Sequence, residues 1–155
     1  MKYTDVLGIN ARNRLFSYQY NSPKGKSIAS SKLRTKRYLE EANVAIPKIY
    51  GKFRDLRATT IFRWEDLPSS FALKPNKGMG GEGIIVVKKR SKDEKGWITT
   101  QRKKVSIEDL KLHTMDILEG AYSIGKVPDM AYLEEYIGRH KAFKNMLIAG
   151  RLTYG

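Results

Sequence analysis

Two apolar runs, Phe71-Ala72-Leu73-Lys74 and Ile84-Ile85-Val86-Val87, flank the segment Asn76-Lys77-Gly78-Met79-Gly80-Gly81-Glu82-Gly83, with four glycines in six residues. The flanking runs have the β-branched and aromatic character of strands, so the segment between them predicts a hairpin. Glycine inside regular structure costs about 0.5–1 kcal/mol relative to alanine. Such a density therefore marks either a demanding turn or a stretch whose main-chain N–H groups must approach a ligand. Phosphate suits those groups, because several donors converge on one delocalised charge. Taken alone, the loop fits a flexible hairpin tip equally well.

Gly78-x-Gly80-x-x-Gly83 also satisfies the G-x-G-x-x-G pattern, and its surroundings decide among the folds that use it. A dinucleotide site requires a helix directly after the loop, whereas Ile84 to Val87 continues as strand. The Gly-Lys-Ser/Thr ending of a Walker A loop is missing. A protein-kinase loop does join two strands, but no His-Arg-Asp or Asp-Phe-Gly triplet occurs and 155 residues cannot hold a kinase. Lys74 ends the first apolar run just ahead of the loop, where its ammonium can reach phosphates beneath it. Lys32 stands earlier, at the start of a predicted helix, in Ser-Lys-Leu-Arg-Thr-Lys. Together the two lysines would neutralise part of a triphosphate; either alone reads as a surface residue.

The rest of the chain predicts an α+β fold of antiparallel strands packed by helices. Residues 1–29 read as an irregular lead, with a turn at 21–25. Ser30 and Ser31 cap a helix that runs to about Ala42, and Ile46-Pro47 ends that segment. A short strand follows over Lys48 to Phe53, Arg63 to Ser69 reads as a connection, and Trp97 to Gln101 reads as a third strand beside the hairpin. Ser106 opens a second helix, with Asp109 in the capping-box position. Ile107, Leu110, Thr114, Ile117 and Leu118 follow at helical spacing, and Gly120 closes it. Ala131 to Ile137 reads as a strand with Tyr132, Glu134 and Tyr136 on one face and Leu133, Glu135 and Ile137 on the other. The main domain is expected over residues 30–155.

The content of 41% hydrophobic residues supports a folded chain. The formal net charge of +14, from 30 basic and 16 acidic residues, attracts polyanions without choosing among nucleic acid, anionic membrane and nucleoside triphosphate. The absence of cysteine excludes disulfides and thiolate chemistry. Of the two histidines, His113 reads as a surface residue on the polar side of its helix, and His140 lies in a basic tail. No residue is assigned a catalytic role. Neither a leader nor an apolar run of the roughly 20 residues that span a bilayer is evident, so a soluble, cytoplasmic protein is expected.

In this order the motifs resemble the ATP-grasp family. Lys32-Leu33 is similar to its helix-initial lysine. Glu41-Ala42-Asn43-Val44-Ala45-Ile46-Pro47 is similar to the Glu-Ala-Gly-Ile-Pro-Val-Pro segment that often follows. Phe71-Ala72-Leu73-Lys74-Pro75 is similar to the lysine strand, Gly78 to Gly83 to the glycine loop, and Glu134-Glu135-Tyr136-Ile137 to the strand that ends the adenine pocket. Leu7-Gly8-Ile9-Asn10-Ala11-Arg12-Asn13 and Lys74-Pro75-Asn76-x-Gly78-x-Gly80-Gly81-Glu82-Gly83-Ile84 most resemble the alpha-L-glutamate ligase-like, sugar-transfer-associated group.

The resemblance implies an ATP-dependent carboxylate–amine ligase working through an acylphosphate, with glutamate among the substrates suggested. It implies that Lys32 and Lys74 bind the α- and β-phosphates, and that Gly78, Met79, Gly80, Gly81 and Gly83 belong to a lid over the triphosphate. Glu134 would accept from the adenine amino group, the backbone of Glu135 and Ile137 would read the adenine edge, and Tyr136 would lie beside it. The magnesium ligands would come after Ile137, where eighteen residues follow without an Asp or Glu. Lys141 and Lys144 stand near the position of a ribose-binding acid. The expectation is thus an incomplete ATP-grasp, lacking the metal-binding half and open to self-association or to a partner that supplies it. Two other readings compete: a non-catalytic remnant acting as a regulator, and a basic nucleic-acid-binding module using Phe16, Tyr18 and Tyr20 beside its cations.

Overall fold

The structure, a computed structural model, describes residues 6–138. The chain divides into two compact units after Val44.

The first unit is helical. Helix α1 (Ile9–Arg12), a π turn (Asn13–Ser17) and α2 (Tyr18–Tyr20) follow one another without a break, then α3 (Pro23–Ala29) and α4 (Lys32–Glu41). This corrects the expectation of an irregular lead. Ser22-Pro23 was read as a turn, but Ser22 is extended and its hydroxyl accepts from the Gly25 N–H at 3.1 Å, while Pro23 occupies the first helical position. Proline fits there because its missing N–H would have no helical partner anyway. Helix α4 follows the sequence more closely. The Ser31 hydroxyl accepts from the Arg34 N–H at 3.3 Å. The helix closes on Asn43, whose φ of 57° lets its N–H reach Glu40 O at 3.0 Å and the Val44 N–H reach Leu39 O at 2.8 Å.

The second unit is α+β. Its strands are β1 (Ile49–Phe53), β2 (Phe71–Pro75), β3 (Ile85–Arg90), β4 (Trp97–Thr99), β5 (Lys104–Val105) and β6 (Ala131–Glu135). They form one sheet in the order β1-β6-β2-β3-β4-β5, and every neighbouring pair is antiparallel. The hairpin predicted around the glycine loop is β2–β3, with Phe71 opposite Val87 and Leu73 opposite Ile85. Two elements were not foreseen. Helix α5 (Leu56–Ile61) is capped by Asp55, whose carboxylate accepts from the Ala58 N–H at 2.8 Å. Strand β5 has two residues, too few to show an alternation. Strands β4 and β6 end earlier than expected, at Thr99 and Glu135.

Helix α6 (Ile107–Leu118) lies against β2 and β6. Its Leu110 and Ile117 join Phe71, Leu73, Val87, Ala131 and Leu133 in the core. Trp64 stacks on Phe53 at 5.2 Å between ring centres, and its indole N–H donates to Thr59 O at 2.9 Å. A buried indole needs such an acceptor. Trp97 meets Phe71 edge to face, donates to Pro68 O at 3.0 Å, and carries the Arg90 guanidinium over its ring.

Both ends of α6 are fixed by residues the sequence singled out. Ser106 and Asp109 form the reciprocal capping box. At the other end Gly120 has φ 85°; its N–H bonds Ile117 O and the Ala121 N–H bonds Asp116 O, both at 3.0 Å. A Cβ at Gly120 would lie 2.3 Å from Val127 O, so substitution adds a backbone clash to the strain of a positive φ. Gly120→Ala is expected to lower stability by more than about 1 kcal/mol, measured by chemical denaturation. The Ser106 hydrogen bonds hold the Asp109 carboxyl below its usual 3.8. A lowered folded value means that this stabilisation is present above 3.8 and is lost as pH falls through the folded value beneath it. The thermal midpoint of Asp109→Asn should therefore lie below wild type at neutral pH and converge with it only in acid below 3.8.

Candidate functional site

The pairing of β2 with β6 assembles the charged centre of the second unit. Lys74 stands opposite Tyr132 and Ala72 opposite Glu134, so Lys74 and Glu134 are diagonal neighbours on one face. The Lys74 ammonium meets Glu134 Oε1 at 2.5 Å, with the two side chains 27% and 4% exposed. Withdrawing a carboxylate from water costs several kcal/mol unless a cation and hydrogen bonds compensate, and Lys74 supplies the cation. The sequence selected these residues separately, one for phosphates and one for adenine; their ion pair was not foreseen. Tyr132 is buried on the same face. Burial above all, then the charges of Glu134 and Asp129, raises its hydroxyl well above the usual tyrosine range, so it stays protonated.

Directly beyond Lys74 the glycine loop leaves the sheet, and its two ends are held from opposite sides. At the first, the Asn76 N–H donates to Met130 O at 2.8 Å and the Lys77 N–H to Asp129 Oδ2 at 2.6 Å. A Cβ on Gly78 would come within 2.3 Å of the Pro75 ring. At the second, Gly83 lies flat against Tyr122, where a Cβ would meet the ring at 2.4 Å. The Gly83 carbonyl stands 2.8 Å from His113 Nε2, and the Tyr122 hydroxyl 3.3 Å from His113 Nδ1. A carbonyl only accepts, so Nε2 carries the proton; in the neutral ring Nδ1 then accepts from Tyr122. Between these anchors the tip is open. A Cβ on Gly80 or Gly81 would touch nothing within 4 Å, and Met79 is 63% exposed.

His113 is thus not the surface residue its sequence suggested. His113 stands three residues after Leu110 and four before Ile117, beside buried Thr114, so His113 flanks the apolar stripe, and helical spacing could have placed it there. Asp129 and Tyr122 carry no such signal: both come from the segment after α6, which only the tertiary fold brings to the loop.

At the end of β6 the Glu135 N–H donates to Lys48 O at 2.8 Å and its carboxylate accepts from the Lys48 N–H at 3.3 Å. Tyr136 and Ile137 follow beyond the strand, half-buried and exposed respectively. Lys32 is the half-buried first residue of α4, in the first unit. His140, Lys141 and Lys144 lie outside the described residues. Among the described residues no group of three or more His, Cys, Asp or Glu side chains is placed to hold a metal ion, and Glu134 is committed to Lys74. No described helix is long and apolar enough to cross a membrane. A cleft of about 520 Å³ opens between β1 and α5, where Phe53, Phe62 and Leu67 line its apolar part and Lys52, Arg63 and Asp66 also face it.

What the second unit assembles is a strand lysine paired with a buried glutamate at the foot of a tethered, open-tipped glycine hairpin. No curated protein and no solved structure matches the chain. Residues 11–153 do match a known family, described as sugar-transfer associated ATP-grasp. The match takes in both units and nearly the whole sequence, and the chain belongs to the sugar-transfer associated ATP-grasp family.

Proposed function

We propose that this chain is the nucleotide-binding part of an ATP-dependent carboxylate–amine ligase. The observation that carries this reading is the Lys74–Glu134 pair at the foot of the glycine loop, its glutamate buried and its lysine half-buried. It holds a cation where phosphates beneath the loop would lie, while the open tip can turn main-chain N–H groups toward them. In such a ligase a substrate carboxylate attacks the γ-phosphorus of ATP; the bond to the bridging oxygen breaks and ADP leaves. An amine then attacks the acyl carbon, losing a proton, and phosphate departs as the amide forms. This chemistry asks for positioning and charge neutralisation more than for acid–base catalysis, in keeping with an assembly of lysine, glutamate and main-chain donors.

Lys74 would bind phosphates of the triphosphate, and Gly78 to Gly83 would close over it; the role of Lys32, in the first unit, rests on the family resemblance. Glu134 would turn one oxygen to the adenine amino group while keeping Lys74 in place, with the Glu135 carbonyl and the Ile137 N–H along the adenine edge. None of these assignments is routed through a metal. A glutamate-type substrate follows from the family resemblance alone.

Calorimetry with a non-hydrolysable ATP analogue tests the assignment. Wild type is expected to bind, and Lys74→Ala to weaken binding by at least about tenfold, roughly the 1.4 kcal/mol of one charged contact. Lys74→Ala also strands a buried carboxylate, at a cost of about 3–5 kcal/mol. The double variant Lys74→Met, Glu134→Gln removes both charges, and should fold and still fail to bind. Wild-type affinity in that double variant would sink the assignment. Salt-dependent RNA binding in place of nucleotide binding would favour the basic-module reading.

A further inference from the structure

We propose that His113 and Tyr122 are positioning residues for the glycine loop: they fix its exit, so that closure over a phosphate ligand moves only the tip from Met79 to Glu82. The proposal deepens the nucleotide-site reading and rests on it for the identity of the ligand; the brace itself stands on geometry.

Two contacts hold Gly83 directly and a third joins the residues that make them. His113 Nε2–H donates to the Gly83 carbonyl at 2.8 Å, Tyr122 donates to Nδ1 at 3.3 Å, and the Gly83 α-carbon lies so close to the Tyr122 ring that no side chain fits between. Gly83 also has φ 70°, a conformation that L side chains resist. The imidazole is therefore fixed at both nitrogens: the Tyr122 hydroxyl selects the tautomer whose Nε2 carries the proton, which is the tautomer the carbonyl requires.

The brace is mounted on rigid structure. His113 lies in α6 between core residues Leu110 and Ile117, and Thr114 next to it is fully buried. Tyr122 follows the helix-ending Gly120 by two residues, in a turn closed by the Ser123 N–H on Gly120 O at 3.1 Å. Burial first, then the nearby Asp116 charge, raises the Tyr122 hydroxyl above its ordinary value, so it remains a donor across the neutral range. The other end of the loop is held by Asp129 through the Lys77 N–H.

Fixed ends matter because each residue ordered on closure subtracts from affinity through lost conformational freedom. A lid anchored at Lys77 and Gly83 orders only its tip. Freeing Gly83 would extend the mobile segment toward β3, which begins at Ile85. A purely packing role for His113 would be met by any side chain filling its volume. The positioning role needs an N–H aimed at the Gly83 carbonyl.

The test combines a ligand-free and a ligand-bound readout on the full chain. The first is cleavage after Glu82 by a glutamate-specific protease, at the bond next to Gly83, with cleavage after Glu94 in the β3–β4 turn as control. His113→Met should raise cleavage after Glu82 about fivefold, the worth of one hydrogen bond, leaving cleavage after Glu94 unchanged. It should weaken binding of the ATP analogue by a similar factor, and His113→Gln, whose amide keeps an N–H donor, should restore both. Tyr122→Phe keeps the ring against Gly83 and loses only the orienting hydroxyl, so it should act in the same direction. If His113→Met unfolds the chain, cleavage rises at both sites and Tyr122→Phe decides. Unchanged cleavage after Glu82 in the folded variants would overturn the proposal, as would His113→Gln behaving like His113→Met. If wild type binds no nucleotide, the ligase reading fails, and cleavage after Glu82 still decides whether the brace holds the loop.

Discussion

A glutamate whose side chain is 4% exposed needs a cation for its carboxylate, and much of the second unit's organisation follows from how Glu134 obtains one. The partner comes from the adjacent strand, two residues out of direct opposition, so the pair exists only in the register that sets Ala72 against Glu134. A slip of one residue would turn Lys74 into the apolar face and bring Leu73 or Leu133 out of the core. The ion pair and the hydrophobic face thus specify the same alignment. That alignment puts a lysine at the point where the chain leaves the sheet for the glycine loop. Pairs of this kind add little net stability over an apolar substitute but penalise the loss of either member, which suits a contact whose use is placement.

The four glycines of the loop answer to different constraints. Gly78 and Gly83 sit where a side chain would strike Pro75 or Tyr122, whereas Gly80 and Gly81 face open space. The outer glycines permit close anchoring and the inner ones leave the tip unobstructed. This division explains how one short segment is held firmly by Asp129, His113 and Tyr122 and still exposes Met79. A hairpin with loose ends would have to order more backbone around any ligand.

Legibility followed the range of the interactions. Ser31, Ser106, Asp109, Asn43 and Gly120 act within one helical turn of themselves, so helices α4 and α6 could be read from local chemistry. Strands β2 and β3 were legible from their β-branched and aromatic runs. Ser22-Pro23 was misread because a proline after a serine marks both a turn and a helix start, and the choice depends on the residues that follow. Helix α5 was missed although Asp55 caps it, since six residues are too few to show a helical period.

For the site, the sequence by itself determined the components: a lysine ending a strand, a glycine-dense loop, and an acidic pair ahead of an aromatic and an aliphatic residue, in an order that resembles ATP-grasp proteins. It determined these because residue type and spacing dictate local conformation and available charge. Only the tertiary structure decided that Lys74 and Glu134 form a single ion pair, that Asp129 holds one end of the loop, and that His113 with Tyr122 holds the other. Lys74 and Glu134 are sixty residues apart, and Gly83 and His113 thirty. Contacts across such separations are chosen by strand register and by the seat of α6 on the sheet, which depend on the whole core and not on any local pattern.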